Sequence, residues 1–255
     1  MLSIDKEYEI HYHDVDLNWQ LMFTSVMNFF QDTFVYMSEY VGRGIRYLNS
    51  MNLTWVVSGW EINMYEYPAY NEKIKVRMTP IAYRKSFMNI QFEIFNSRGR
   101  KVADAFSLWI LLDIKQKIPC RSKFEDMYKV YGLKASENKI NTIKKINISK
   151  NLINIKKFNV GYRDIDTNGH VNNVNYLYWI LDSISEDIVK DYKITKIRIS
   201  YKKSANYNEI ITLSFTKNVE NNLIVYSHKI DDKDNSALVL AETILQKKCC
   251  VDEYL

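Results

Sequence analysis

The chain carries two copies of one pattern, and this limits its fold more than any other feature. YEIHYHDVDLNWQLMFTSVMNFF, residues 8–30, aligns without a gap on FNVGYRDIDTNGHVNNVNYLYWI, residues 158–180. Tyr8 meets Phe158, Tyr12 meets Tyr162, Asp14 meets Asp164, Asp16 meets Asp166 and Asn18 meets Asn168. Farther on, Phe29 meets Trp179 and Asp32 meets Asp182. Looser echoes follow: NMYEYPAYNEKIKVRM (63–78) resembles ISYKKSANYNEIITLSF (199–215), and KVADAFSLWILLD (101–113) resembles LVLAETILQKK (238–248). Two copies at one long offset make a duplicated module and exclude a solenoid, which stacks many short repeats.

Each copy has the same order. FNVGYRDID alternates like a strand, TNG supplies turn chemistry, and HVNNVNYLYWILDSISEDIV follows. There Val174, Leu177, Leu181, Ile184 and Ile188 recur at spacings of three and four, the apolar stripe of one helix. Strand-like runs come next, KIRISYKKS, EIITLSFTKNV, NLIVYSHKID and ALVLAETILQKK. The first copy repeats this, with its helix starting near Leu21 where the second starts near Val171. One helix followed by antiparallel strands predicts an α+β module. Two modules set side by side would also remove an exposed sheet edge. The expected division is 1–128 for the first module, 129–154 for a lysine-rich linker and 155–255 for the second.

The 255 residues suffice for two modest cores, and a net charge of +5 favours an acidic partner over nucleic acid. MLSIDKEYEI lacks the apolar core of a signal peptide, and runs such as LWILLDI are too short to span a bilayer. A cytoplasmic protein without integral membrane contact is the expectation. Cys120, Cys249 and Cys250 form no disulfide framework and no metal spacing. HYHDVD could be imagined as a metal site, but surface histidines are the better reading of His11 and His13. Neither a metal nor a cofactor is expected.

Strand, D-x-N-x-H-V-N-N and amphipathic helix, duplicated with a degenerate first copy, closely resembles the acyl-acyl carrier protein thioesterases of plants and bacteria. That resemblance runs from about residue 4 to about residue 248. It implies a double hotdog, each long helix wrapped by an antiparallel sheet. It also implies a hydrolase of lipid metabolism, in fatty acid biosynthesis, that frees fatty acid from an acyl carrier protein. Acyl-coenzyme A hydrolysis and non-catalytic acyl binding are the alternatives. Its catalytic aspartate, asparagine and histidine fall on Asp166, Asn168 and His170. Gln20 stands at the histidine's place in the first copy, which is therefore expected to shape the acyl site rather than react. A glutamate common in the family falls on Ser204, and a cysteine of plant members on Ala205. Two such chains pairing as a homodimer is a further expectation.

The three residues suit thioester hydrolysis. A thiolate leaves readily, so the task is to deprotonate water and stabilise an oxyanion. His170 can take a proton near neutrality, Asp166 can orient the imidazole or hold the water, and Asn168 can donate or accept. Which of Asp166 and His170 is the base stays open. Amides near Gly169–Asn172, at the helix start, are the expected oxyanion donors. Asp-Thr-Asn-Gly is equally ordinary turn chemistry, with Asn168 or Thr167 capping the helix. Positive charge for a carrier is expected from Arg163, Lys202, Lys203, Lys144, Lys145, Lys156 and Lys157, with Lys202–Ser204 on a strand.

Overall fold

A computed structural model describes residues 2–120, 125–133, 140–148, 152 and 154–248. Cys249, Cys250 and parts of the lysine-rich segment lie outside the described residues. The chain divides into two compact units, residues 1–143 and 144–255.

The first unit holds β1 (Ile4–Glu9), a tight turn at Tyr12–Asp14, α1 (Phe23–Tyr40), α2 (Ile45–Ser50), β2 (Leu53–Met64), β3 (Lys73–Arg84), β4 (Phe87–Phe95), β5 (Lys101–Asp113), β6 (Ile118–Pro119) and α3 (Glu125–Val130). Its antiparallel sheet runs β1-β3-β4-β5-β2, with β6 on β5. The second unit holds β7 (Asn154–Asn159), a turn at Tyr162–Asp164, α4 (Asn173–Leu181), α5 (Glu186–Asp191), β8 (Tyr192–Tyr201), β9 (Ile210–Glu220), β10 (Leu223–Asp231) and β11 (Ala237–Lys247). Its sheet runs β7-β9-β10-β11-β8, again antiparallel. Strand for strand the two orders are the same, so the repeat in sequence is a repeat in topology.

Alternation decides which face of each strand is buried. Along β4 the buried residues Met88, Ile90, Phe92 and Ile94 share one face, and along β10 Ile224, Tyr226, His228 and Ile230 do. The first core is filled with rings. Phe30 of α1 lies 4.9 Å from Phe92 and 5.9 Å from Trp60, and Phe34 stacks on Trp109 at 3.8 Å. Pairing aligns the second core with it: Phe92 faces Ala105 and Met78, and His228 faces Ala241 and Phe215. There Ile180, Ile197, His228 and Leu245 occupy the places of Phe30, Trp60, Phe92 and Trp109.

The second helix is shorter than its periodicity predicts. α4 ends at Leu181, and a break through Asp182–Ser185 separates it from α5. Buried Ser183 donates through Oγ to the carbonyl of Ile180 at 2.6 Å, and the same oxygen lies 3.5 Å from Nδ1 of His228. Acidic Glu186 and Asp187 then open α5, as a helix start prefers. Leu181 and Ile188 are in consequence only half-buried.

A second expectation also fails. Lys202–Ser204 are not in a strand, because β8 stops at Tyr201 and residues 202–209 form a loop. Asn208 closes that loop at φ +64°, a conformation asparagine tolerates. Strand alternation therefore says nothing about Lys202, Lys203 or Glu209.

Candidate active site

The stretch 161–175 is held by bonds repeated almost one for one at 11–25. Gly161 N–H donates to Asp164 Oδ2 at 2.8 Å, and His11 N–H donates to Asp14 Oδ2 at 3.0 Å. Asp166 Oδ1 accepts from Asn168 N–H at 2.8 Å, and Asp16 Oδ1 accepts from Asn18 N–H at the same distance. Each asparagine amide also approaches its aspartate Oδ2, at 3.4 and 3.5 Å. Residue 169 donates to the carbonyl of 166, as 19 does to that of 16, both at 3.0 Å. This is an Asx-turn, in which a side-chain carboxylate replaces a backbone acceptor.

The turn needs a left-handed residue, and both copies supply one. Gly169 has φ +77° with open space where a Cβ would stand. Trp19 has φ +59°, an uncommon place for a bulky side chain. Its ring is half-exposed and lies 5.4 Å from Tyr70. No glycine marks position 19, so the sequence gives no sign of it.

What separates the copies is chemistry on a shared backbone. His170 and Gln20 are both half-buried at the same place. Gln20 N–H donates to Asp16 Oδ1 at 3.1 Å, whereas His170 N–H makes no such bond among the described residues. The second copy thus leaves an amide beside its histidine where the first consumes one. Neighbouring amides are taken: Asn172 donates to Asp164 O at 2.8 Å, and Val171 to Ala205 O at 3.1 Å. The helix cap is Asn172, whose Oδ1 accepts from Val174 N–H at 3.2 Å, rather than Thr167 or Asn168. Asn175 reaches back from α4, donating through Nδ2 to Asp164 O at 3.0 Å.

The expected trio therefore sits on one turn. Asp166 is engaged with Asn168 through both oxygens rather than with the imidazole of His170. Ser204 is exposed on the loop and Ala205 beside it is buried. Sequence reasoning missed Tyr176. Its hydroxyl accepts from Ala205 N–H at 2.7 Å, burial pushes its pKa up to about 12, and the carboxylates of Glu209 and Asp166 add to the rise. Glu209 itself is bound within the loop, to Asn206 N–H at 3.1 Å and Nδ2 at 2.6 Å. Glu72 holds Ala69 N–H in the same way at 3.0 Å, so that carboxylate is a loop fastener in both copies. His11 and His13 are exposed, with stacked rings 5.7 Å apart. Among the described residues no group of three or more His, Cys, Asp or Glu is placed to hold a metal.

A repeated antiparallel sheet around a helix, with a polar turn feeding each helix, defines the double hotdog class, and comparison with solved structures agrees. The chain is similar to the 12:0-ACP thioesterase from Umbellularia californica, at TM-score 0.83 and 18% identity over 96% of this chain and 98% of that one. It is similar too to an acyl-ACP thioesterase from Bacteroides thetaiotaomicron, at TM-score 0.80 and 21% identity over the same shares. The family model of the acyl-ACP thioesterase N-terminal domain matches residues 2–149, and that of the C-terminal domain matches residues 147–247. The chain belongs to the acyl-ACP thioesterase family. Among curated relatives, the chloroplastic oleoyl-acyl carrier protein thioesterase of Coriandrum sativum is 21% identical over 230 residues, covering 82% of this chain and 61% of that protein. The oleoyl-acyl carrier protein thioesterase 2 of Arabidopsis thaliana is 22% identical over 191 residues, covering 69% of this chain and 51% of that protein. The chain thus spans between half and two thirds of the length of these relatives.

Proposed function

We propose that the chain hydrolyses the thioester of a fatty acyl-acyl carrier protein, releasing free fatty acid, and that the second unit performs the reaction. One observation carries this reading: two turns share a backbone, and only one of them bears a histidine whose own amide has no hydrogen-bond partner among the described residues. Membership of the thioesterase family supplies the substrate class.

His170 is assigned as the general base. It takes a proton from water as the water oxygen attacks the carbonyl carbon, and the carbonyl oxygen becomes an oxyanion within reach of the His170 N–H. Collapse breaks the C–S bond, and the thiolate recovers the proton from the imidazolium. Asp166 and Asn168 are assigned to holding the turn, in which the carboxylate accepts from Asn168 N–H at 2.8 Å. The carrier is an acidic protein, and exposed Arg163, Lys202 and Lys203 lie on the same unit as the turn, with Lys144, Lys145 and Lys157 exposed elsewhere on it. Lys156 is tied to the carbonyl of Asp182 and contributes less.

The test is thiol release from a panel of acyl-carrier thioesters and matched acyl-coenzyme A thioesters. Hydrolysis of the carrier substrates in preference to the coenzyme A substrates is the expected result. Preference for coenzyme A selects the acyl-CoA reading, and tight acyl binding without turnover selects a binding protein.

A further inference from the structure

The duplicated backbone serves as an internal control on every residue of the site. Asp166, Asn168 and Glu209 have counterparts in Asp16, Asn18 and Glu72 that make the same bonds, so those bonds belong to the fold. Tyr176 has none. Residue for residue it corresponds to Val26, and its partner Ala205 corresponds to Pro68. The loop alignment is fixed by matching bonds, Leu21 N–H to Pro68 O at 2.8 Å and Val171 N–H to Ala205 O at 3.1 Å. Proline has no N–H to give. Where the phenol is missing, the donor it would hold is missing too, and donor and acceptor have changed together.

Both ends of this bond are out of solvent, with Tyr176 2% exposed and Ala205 fully buried. Ala205 is thus gripped twice by the segment that carries the site. Its N–H is held by the Tyr176 hydroxyl on α4, and its carbonyl holds the N–H of Val171, the residue after His170. The carbonyl of His170 in turn accepts from Asp166 N–H at 2.8 Å. The ring is fixed by its surroundings, edge-on to Trp179 at 5.3 Å and 5.9 Å from Tyr201. Tyr201 is anchored at the helix start by its hydroxyl, which donates to Asn173 O at 3.0 Å.

We infer that Tyr176 is a positioning residue for His170, locking loop 202–209 through Ala205 N–H so that the turn presents the imidazole and the adjacent amide in one geometry. The inference rests on the thioesterase reading for its effect on rate, but the geometric claim stands apart from it. An isolated structural bond would need only satisfied partners, a condition the Val26–Pro68 pair meets without a phenol.

The full chain is compared with Tyr176→Phe, with the double variant Tyr176→Phe/Ala205→Pro, and with His170→Ala. Phenylalanine keeps the ring and removes the acceptor. Proline then removes the stranded donor at a site whose counterpart already carries proline. Tyr176→Phe is expected to lower kcat by tenfold or more with KM within about twofold. The double variant is expected to regain the thermal midpoint but not kcat. NMR supplies a readout that needs no turnover: the His170 ring resonance should move in the double variant, while those of His11 and His13 serve as unmoved references. Parental kcat in the double variant, or an unmoved His170 resonance, overturns the inference. If His170→Ala keeps the parental rate, the thioesterase assignment fails instead, and the NMR result still decides the role of Tyr176.

Discussion

At position 170 a histidine stands where the first copy has a glutamine on the same turn, and the proposed chemistry depends on that difference. Replacing His170 with alanine should cut turnover by roughly a hundredfold or more, the scale of a lost acid–base group, while Asn18→Ala in the first unit should leave it near the parental value. Steady-state kinetics on folded variants checks both. Asp166 separates structural from chemical roles. Asp166→Ala removes the turn's acceptor and should be as damaging as loss of the base. Asp166→Asn keeps an oxygen able to accept from Asn168 N–H, so it should cost less than about tenfold. Equal losses in the two Asp166 variants would give the carboxylate a direct part in the reaction. Ser204 is exposed on its loop, so Ser204→Glu should change the rate less than about threefold. The Asp-x-Asn-x-His spacing was legible because an Asx-turn is local chemistry written in five consecutive residues. Tyr176 was not, since its partner lies 29 residues away and the bond runs to a backbone N–H that no side-chain pattern announces.

At the level of elements, the repeat predicted strand, turn, helix and antiparallel strands in both halves, and those elements formed. Its errors fell where side-chain and turn contacts overrode a periodic pattern. The three-and-four spacing continues through Ile188, yet α4 stops where Ser183 turns toward its own carbonyl and His228. YKKSANYNE reads as an extension of the strand, yet Asn208 and the Glu209 carboxylate fold it into a loop. His228 makes a testable statement about acid. Burial holds its pKa down to about 3, with Nε2 unpartnered among the described residues. Below its ordinary value the unfolded ring takes up a proton and the folded ring does not. The unfolded chain therefore binds more protons in that window, and stability falls as pH drops from about 6.5 toward about 3. His228→Phe, which copies Phe92, should remove that slope. Denaturant unfolding at about pH 7 and about pH 5.5 should show the variant gaining roughly 1 kcal/mol on the parent between the two. An unchanged difference would mean that the imidazole is solvated in the native protein.

At the scale of the whole molecule, two copies of one topology differ in what they carry, with Gln20 in the first where the second has His170. The first core closed around Phe30, Trp60, Phe92 and Trp109, and the second kept smaller aliphatic side chains and a buried histidine. No described helix is long and apolar enough to cross a membrane. Charge is where the whole surface bears on function, since steering by an excess of positive charge is screened by salt. Changing Arg163, Lys202 and Lys203 to glutamate together should raise KM for an acyl-carrier substrate several-fold at low salt. It should hardly alter kcat, or turnover of a small acyl-coenzyme A thioester. Equal effects on both substrates would reduce those residues to solvated surface. The most direct test of the central claim is thiol release from a fatty acyl-acyl carrier protein by the parent chain and by His170→Ala, side by side. The account predicts sustained turnover by the parent and a loss of roughly a hundredfold in the variant. A parent that binds the acyl carrier without releasing thiol, or a folded variant that matches the parent, would contradict it.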